Sequence, residues 1–162
     1  MPECILPPWY GLWITPGAIL LSATVAGIFA YVSIRATHVI ARRRATLDLI
    51  HQRELDTDYI KARREFIKLR DAPNGLLQYA NGDKRDAPEV AYVRTVLNGH
   101  ELAAIGIKQK IIDEKLYRLG FESTVFKDWR KAKAFVEHLR DVDHMPKAYI
   151  ELQWLVRRWG GE

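Results

Sequence analysis

The feature that most constrains this chain is a long uncharged run near its amino terminus. Every residue from 4 to 34 is uncharged, and the run contains about the 20 consecutive apolar residues that a helix needs to cross the hydrocarbon core of a bilayer. Pro16 suits the first turn of such a helix, where a missing N–H group costs nothing. The pattern predicts a transmembrane helix over residues 16–34, preceded by a short extracytoplasmic segment, residues 1–15. The alternative, a buried helix of a soluble domain, is disfavoured because such domains seldom place so long an uncharged run beside clustered arginines.

The charges beyond this run predict its orientation. All 25 Lys and Arg residues follow it, and residues 35–53 carry five arginines against one acid, Asp48. Basic residues flanking a membrane helix stay cytoplasmic, whereas a cleavable signal peptide carries its positive charge before the apolar stretch. We therefore predict a single-pass anchor with the amino terminus outside. Residues 35–55 would form a basic juxtamembrane helix whose arginines meet anionic lipid headgroups, each gaining about 1 kcal/mol: Arg35, Arg42, Arg43 and Arg44.

The rest of the chain is nearly neutral. Residues 54–162 contain 20 basic and 18 acidic side chains, so most of the net charge of +5 belongs to the juxtamembrane segment. A domain that neutralises phosphates would carry a basic excess on its own surface. We therefore expect no nucleic-acid partner.

The membrane span has small residues at every fourth position, which allows close approach of two helices. This helix-association face consists of Ala18, Ser22, Ala26 and Ala30. It favours self-association in the membrane, although small residues are also common in membrane helices that do not associate. Cys4 is the only cysteine, which excludes an intramolecular disulfide.

Beyond the junction the hydrophobic period is helical, and no stretch shows the sustained alternation of a strand. The fold class is therefore predicted to be all-α: a small cytoplasmic helical bundle, residues 56–162, with a turn-rich connector at about 71–87. We expect one helix from Asp56 or Thr57 and one from about Pro88 that extends to Ile111. Beyond these we expect a short helix after Asp113, a longer helix over residues 123–140 and a last helix that Pro146 opens.

One polar position interrupts an apolar helical stripe. Glu101 lies between Leu97 and Ala104, with Asn98 close to it on the same helix. A carboxylate that faces a core needs a partner or a shifted pKa, and the candidate partners are Arg94 and Arg140. These four residues form either a satisfied core group, which we favour, or a polar pocket inside the bundle.

No motif indicates a metal site, a cofactor or a catalytic residue. His100 and Glu101 begin like a zinc-protease motif, but Ala104 occupies the place of the second histidine. Four residues near one helix end have spacings that suit weak metal binding, yet a solvated helix end explains them better: Glu137, His138, Asp141 and His144. The chain also lacks a glycine-rich phosphate loop and a nucleophile elbow.

The carboxy-terminal half resembles a bacterial and prophage family of membrane-anchored proteins that is catalogued as a domain of unknown function. The resemblance covers residues 90–159. It rests on the Glu101 helix, the IIDE sequence at 111–114, Trp129, Arg140, the helix start at 146–149 and the pair Trp154 and Leu155. It implies an all-α fold after one membrane helix. A glycine is expected at the position that Lys110 occupies. If the backbone is left-handed there, a residue other than glycine lowers the stability by about 1 kcal/mol.

These features together favour a membrane-anchored protein-interaction or regulatory protein that binds another protein or itself. The prophage association of the similar proteins suggests host regulation, phage exclusion or defence. The alternative is a membrane-anchored enzyme or ligand sensor with a polar site in the bundle. We expect the first class because no catalytic motif is present.

Overall fold

The computed structural model describes residues 9–80 and 84–161, with side chains from residue 16 onward. Five α-helices follow one another along the chain: α1 (Trp9–Leu55), α2 (Thr57–Asp71), α3 (Glu89–Lys108), α4 (Glu114–Asp141) and α5 (Ile150–Trp159). A short 3₁₀ helix, Leu77–Tyr79, lies in the connector between α2 and α3. The described residues contain no strand, which confirms the all-α prediction. The predictions for Cys4 and for the rest of segment 1–15 lie outside the described side chains.

The chain divides into two compact units, Met1–Ala41 and Arg42–Glu162. In the first unit the described side chains of α1 are almost all exposed, and the helix from Pro16 onward is long and apolar enough to span a membrane. Its helix-association face is exposed along its whole length. The uncharged stretch, residues 16–34, is therefore not covered by the other described side chains of its unit.

The second unit, the helical domain, combines the last turns of α1 with α2 to α5. Its core is mainly apolar, and large fully buried apolar side chains come from α2, α3, α4, α5 and the connector: Phe66, Leu76, Val93, Leu97, Tyr117, Phe135, Leu152 and Leu155. On α4 and α5 the apolar residues that recur at helical spacing are buried, including Trp129 and Trp159. Helical periodicity therefore identifies which sides of these two helices meet the core.

The turn between α3 and α4 explains why α3 ends at Lys108 and not at Ile111, as the sequence suggested. Lys110 adopts a left-handed conformation with φ 58°, and the N–H groups of Ile111 and Ile112 both donate to the Gly106 carbonyl. A Cβ on Gly106 would lie 2.5 Å from Cδ1 of Ile112, so glycine makes room for the returning chain. The left-handed residue at position 110 ends the helical path of the chain and leaves Ile111 exposed.

Two helices differ from the predictions. The expected short helix after Asp113 and the helix over residues 123–140 are one helix, α4, which passes through the exposed Gly120. Glycine costs a helix about 1 kcal/mol, but Tyr117 stacks on Phe121 with ring centroids 4.8 Å apart on the flanking turns. The last helix begins at Ile150 and not at Pro146, because Tyr149 before it is left-handed, with φ 54°.

Candidate functional site

The most deeply buried charge in the helical domain is Asp128, in the middle of α4, whose side chain is fully excluded from solvent. Two arginines of α2 reach it: Arg70 donates from Nη1 to Oδ1 over 2.6 Å, and Arg63 pairs with both carboxylate oxygens. From α3, Nε2 of His100 lies 2.9 Å from Oδ2. One carboxylate therefore connects three helices, and we call these four residues the Asp128 cluster.

The cluster sets the protonation states of its members. Burial opposes ionisation of Asp128 most strongly, but the hydrogen bond with His100 and the charge and hydrogen bonds of Arg63 together hold its pKa below the ordinary value. Burial lowers the pKa of His100, although Asp128 opposes that shift. An ionised Asp128 accepts hydrogen bonds only, so a neutral His100 carries its proton on Nε2 and leaves Nδ1 as an acceptor. That Nδ1 atom is buried without a hydrogen-bond partner among the described residues.

Arg70 links the cluster to the surface. It is almost fully buried and donates from Nε and Nη2 to the two carboxylate oxygens of its neighbour Asp71, over 3.0 and 2.8 Å. Arg70, with a smaller contribution from Lys127, lowers the pKa of Asp71 to about 2. One guanidinium thus donates hydrogen bonds to a buried and an exposed carboxylate. This geometry favours Arg over Lys, because the planar guanidinium presents several donors in a fixed arrangement.

Beside the cluster, Arg53 from the end of α1 makes a second polar contact between helices. It donates from Nη1 to the hydroxyl of the buried Tyr117 over 3.1 Å and from Nη2 to the carbonyl oxygen of Gly99. Its guanidinium also lies over the ring of Tyr59, 5.5 Å from the centroid. Gly99 permits this approach, since a Cβ there would lie 3.3 Å from Tyr59 Cε2 and 3.4 Å from Arg53 Nη2.

Arg53, Tyr59, Arg63 and His100 line one groove with a volume of about 350 Å³. Its walls also include three apolar or aromatic side chains, Ile50, Ile60 and Phe121. Ligand pockets for small molecules typically have volumes of about 300–1,000 Å³, mostly apolar walls and a few polar groups. We call this the Arg53 groove.

The polar residues predicted from sequence lie elsewhere in the helical domain. Arg94, Asn98 and Glu101 line a separate cavity of about 370 Å³ together with Tyr149. The Glu101 carboxylate accepts the backbone N–H groups of Glu151 and Leu152, over 3.2 and 2.6 Å. Burial raises its pKa, and these two hydrogen bonds oppose the shift. Glu101 therefore supplies the cap that α5 lacks, because Tyr149 at its N-cap makes no side-chain cap hydrogen bond.

Arg140 approaches the same turn without pairing with Glu101. Its Nε and Nη2 atoms donate to the Ala148 carbonyl over 2.9 and 2.7 Å, and Nη1 donates to Gln153 over 2.8 Å. Glu101 and Arg140 thus fix the segment before α5 from two helices. Burial raises the pKa of Tyr149, in that segment, to about 12.

The predicted basic residues have varied environments. Arg43 lies 3.6 Å from the Asp113 carboxylate, Arg44 lies 4.0 Å from Asp48, and Arg35 lies over the ring of Tyr31. Arg42 lines a cavity beside Trp154. In the described part of the chain no group of three or more His, Cys, Asp or Glu residues could hold a metal ion.

The Asp128 cluster was not predicted, although the sequence contains a signal for it. Asp128 falls between Val125 and Ala132 on the buried stripe of α4, and His100 falls between Leu97 and Ala104 on that of α3. The same argument that selected Glu101 therefore applies to both residues. Arg70, the partner of Asp128, could not be recognised in this way, because long cationic side chains commonly lie beside apolar helix faces.

Fold and site together define an all-helical domain with a buried charge cluster, preceded by a helix that is apolar enough to span a membrane. The chain belongs to the family described as Domain of unknown function (DUF4760), which matches residues 19–159. No curated protein and no solved structure matches the chain.

Proposed function

We propose that this is a single-pass protein of a bacterial inner membrane, anchored by residues 16–34, with its amino-terminal segment outside and its helical domain in the cytoplasm. The observation that carries the proposal is the exposed, uncharged stretch of α1 followed by every Lys and Arg of the chain. A span of this kind inserts with its basic flank on the cytoplasmic side. Arg35 and the arginines at 42–44 form that flank.

The single natural cysteine allows a direct test of orientation. In intact spheroplasts an impermeant maleimide should label Cys4. In a Cys4→Ser background, Ser123→Cys on the exposed surface of α4 should be labelled only after the membrane is permeabilised. Labelling of Ser123→Cys in intact spheroplasts would refute the orientation.

Changing Arg42, Arg43 and Arg44 together to Glu tests the basic flank itself. This variant should lose insertion or the single orientation, because the positive charge that retains the flank in the cytoplasm becomes negative. Lys131, Lys133 and Arg130 lie on the exposed side of α4, so changing them to Glu is a control of equal charge change within the helical domain. Equal orientation in both variants would contradict the role of the flank.

We further propose that the helical domain acts as a binding module in regulation, and that its partner is another protein or a second copy. The support is its near-neutral charge and the exposure of large apolar side chains, among them Leu119, which is 86% exposed, and Leu102. Chemical cross-linking in native membranes followed by purification in mild detergent should recover a partner or a homo-oligomer. Recovery of the monomer alone after cross-linking would contradict this function.

A membrane-anchored ligand sensor is the second candidate function. The observation that favours it is the Arg53 groove, where polar groups from four helices meet at apolar walls.

A further inference from the structure

We propose that the Arg53 groove binds a small organic acid, with the carboxylate of the ligand at the Arg53 guanidinium and its apolar body against Ile50, Ile60 and Phe121. The groove lies within the helical domain and involves none of the residues predicted from sequence as a polar pocket. The proposal concerns the ligand-sensor function and rests on the groove, not on the membrane orientation.

The charge of the ligand follows from the partners of Arg53. Among the described residues its guanidinium meets neutral oxygens, those of Gly99 and Tyr117. Arg63, the other arginine of the groove, shares the carboxylate of Asp128 with Arg70 and His100. A partly buried guanidinium gains the most binding free energy from a carboxylate, because its planar N–H donors bind the two carboxylate oxygens in a bidentate manner.

Glu54 is the acidic side chain of the groove, and it does not cancel this preference. Its side chain is exposed to solvent, whereas that of Arg53 is partly buried. Water and salt screen an exposed charge much more than a partly buried one. The guanidinium therefore sets the sign of the charge that the groove accepts.

The size and nature of the ligand body follow from the walls. A volume of about 350 Å³ matches a metabolite of modest size, and the three apolar walls favour a hydrocarbon or aromatic body. The ring of Tyr59 adds an aromatic face beside the guanidinium. His100 also lines the groove. Its Nδ1 atom is buried and has no hydrogen-bond partner among the described residues, so the hydrogen bonding of the Asp128 cluster is incomplete at this end.

Phenylacetate is a suitable probe, because it combines a carboxylate with an aromatic ring, and phenylacetamide is its uncharged match. The full-length protein in mild detergent is titrated with each probe at constant ionic strength while its thermal unfolding midpoint is followed. Phenylacetate should raise the midpoint in a saturable manner, whereas phenylacetamide and acetate should not. An equal rise with phenylacetamide, or no rise with phenylacetate, would overturn the proposal.

Two matched variants place the binding in the groove. Ile60 and Ile67 both lie on α2 and are each 38% exposed, but only Ile60 lines the groove. Ile60→Glu puts a negative charge at the groove and should weaken phenylacetate binding at least about tenfold, because like charges repel. Ile67→Glu should leave the affinity within about twofold of the wild type. Equal affinities in the two variants would place the binding elsewhere and overturn the proposal.

Arg53→Met tests the guanidinium while it keeps the length of the side chain. It should abolish the difference between phenylacetate and phenylacetamide, and Arg64→Met, at an exposed position of α2, should preserve it. A preserved difference in Arg53→Met would overturn the assignment to Arg53. The Ile60→Glu comparison decides the proposal even where Arg53→Met fails to fold.

Discussion

His100 on α3 and Asp128 on α4 lie 2.9 Å apart, Nε2 to Oδ2, and both side chains are buried. With Arg63 and Arg70 of α2 they form a charged contact inside an otherwise apolar core. Such a contact adds little stability compared with an apolar core, but removal of one partner is costly. The consequences of this relationship are measurable.

Asp128→Asn should lower the free energy of unfolding by about 3–5 kcal/mol, because two arginines lose their shared charge partner in the interior. Asp141→Asn, at an exposed position at the end of the same helix, should change it by less than about 0.5 kcal/mol. Urea unfolding of the detergent-solubilised protein compares the two. Similar losses in both variants would show that the Asp128 cluster has no special role.

The stability of the helical domain should fall as the pH is lowered below 6.5. Burial holds the pKa of the folded His100 below this ordinary value, so the unfolded chain takes up a proton that the folded chain refuses. Below pH 3.8 Asp71 and Asp128 act in the same direction, because their folded pKa values lie below that of an ordinary Asp. The contributions of these three groups are therefore complete above pH 6.5 and are lost in these two steps as the pH falls.

His100→Gln removes the first step while the amide can still donate to Asp128. Its free energy of unfolding should vary less with pH between 6.5 and about 5 than that of the wild type. An unchanged slope in His100→Gln would mean that His100 does not titrate on unfolding.

Glu101→Gln should lower the free energy of unfolding by about 1–2 kcal/mol, because an amide offers one acceptor oxygen to the two N–H groups at the start of α5. Glu137→Gln, at an exposed position of α4, should have little effect. Hydrogen exchange at Glu151 and Leu152 should accelerate only in Glu101→Gln. Loss of a binding activity with unchanged stability would instead identify Glu101 as a functional residue.

Lys110→Gly should raise the free energy of unfolding by about 0.5–1 kcal/mol, because glycine adopts the left-handed conformation at φ 58° without strain. Lys131 is exposed to solvent and lies away from the ends of α4. Lys131→Gly should have the opposite effect and lower the free energy of unfolding by about 1 kcal/mol. Thermal unfolding distinguishes the two signs. Destabilisation by both changes would contradict the strain at Lys110.

Ala26→Ile should weaken association of the isolated membrane span in a reporter of helix pairing, because added bulk separates backbones that meet at small residues. Val32→Ile adds bulk opposite Ala30 and should leave the signal unchanged. If Ala26→Ile had no effect, the helix-association face would not be the contact.

Local pattern alone determined the all-α class, the apolar span before the arginines and the buried faces of α4 and α5. These features depend on periodicity, charge order and turn chemistry, which act over a few residues. The continuity of α4 and the start of α5 were not predicted, because Tyr117 and Phe121 stabilise the helix through Gly120, and distant Glu101 caps α5.

Only the tertiary structure decided which charges meet. Arg63 lies 65 positions from Asp128 in the chain, and Arg53 lies 64 positions from Tyr117. No local rule specifies pairs at such separations, because they depend on how α1, α2, α3 and α4 pack. The sequence by itself determined a helical chain with an uncharged span and a basic flank. Packing decided that Glu101 caps a helix and that Asp128 joins three helices. It also decided that Arg53 lines a groove and that its hydrogen-bond partners among the described residues are neutral.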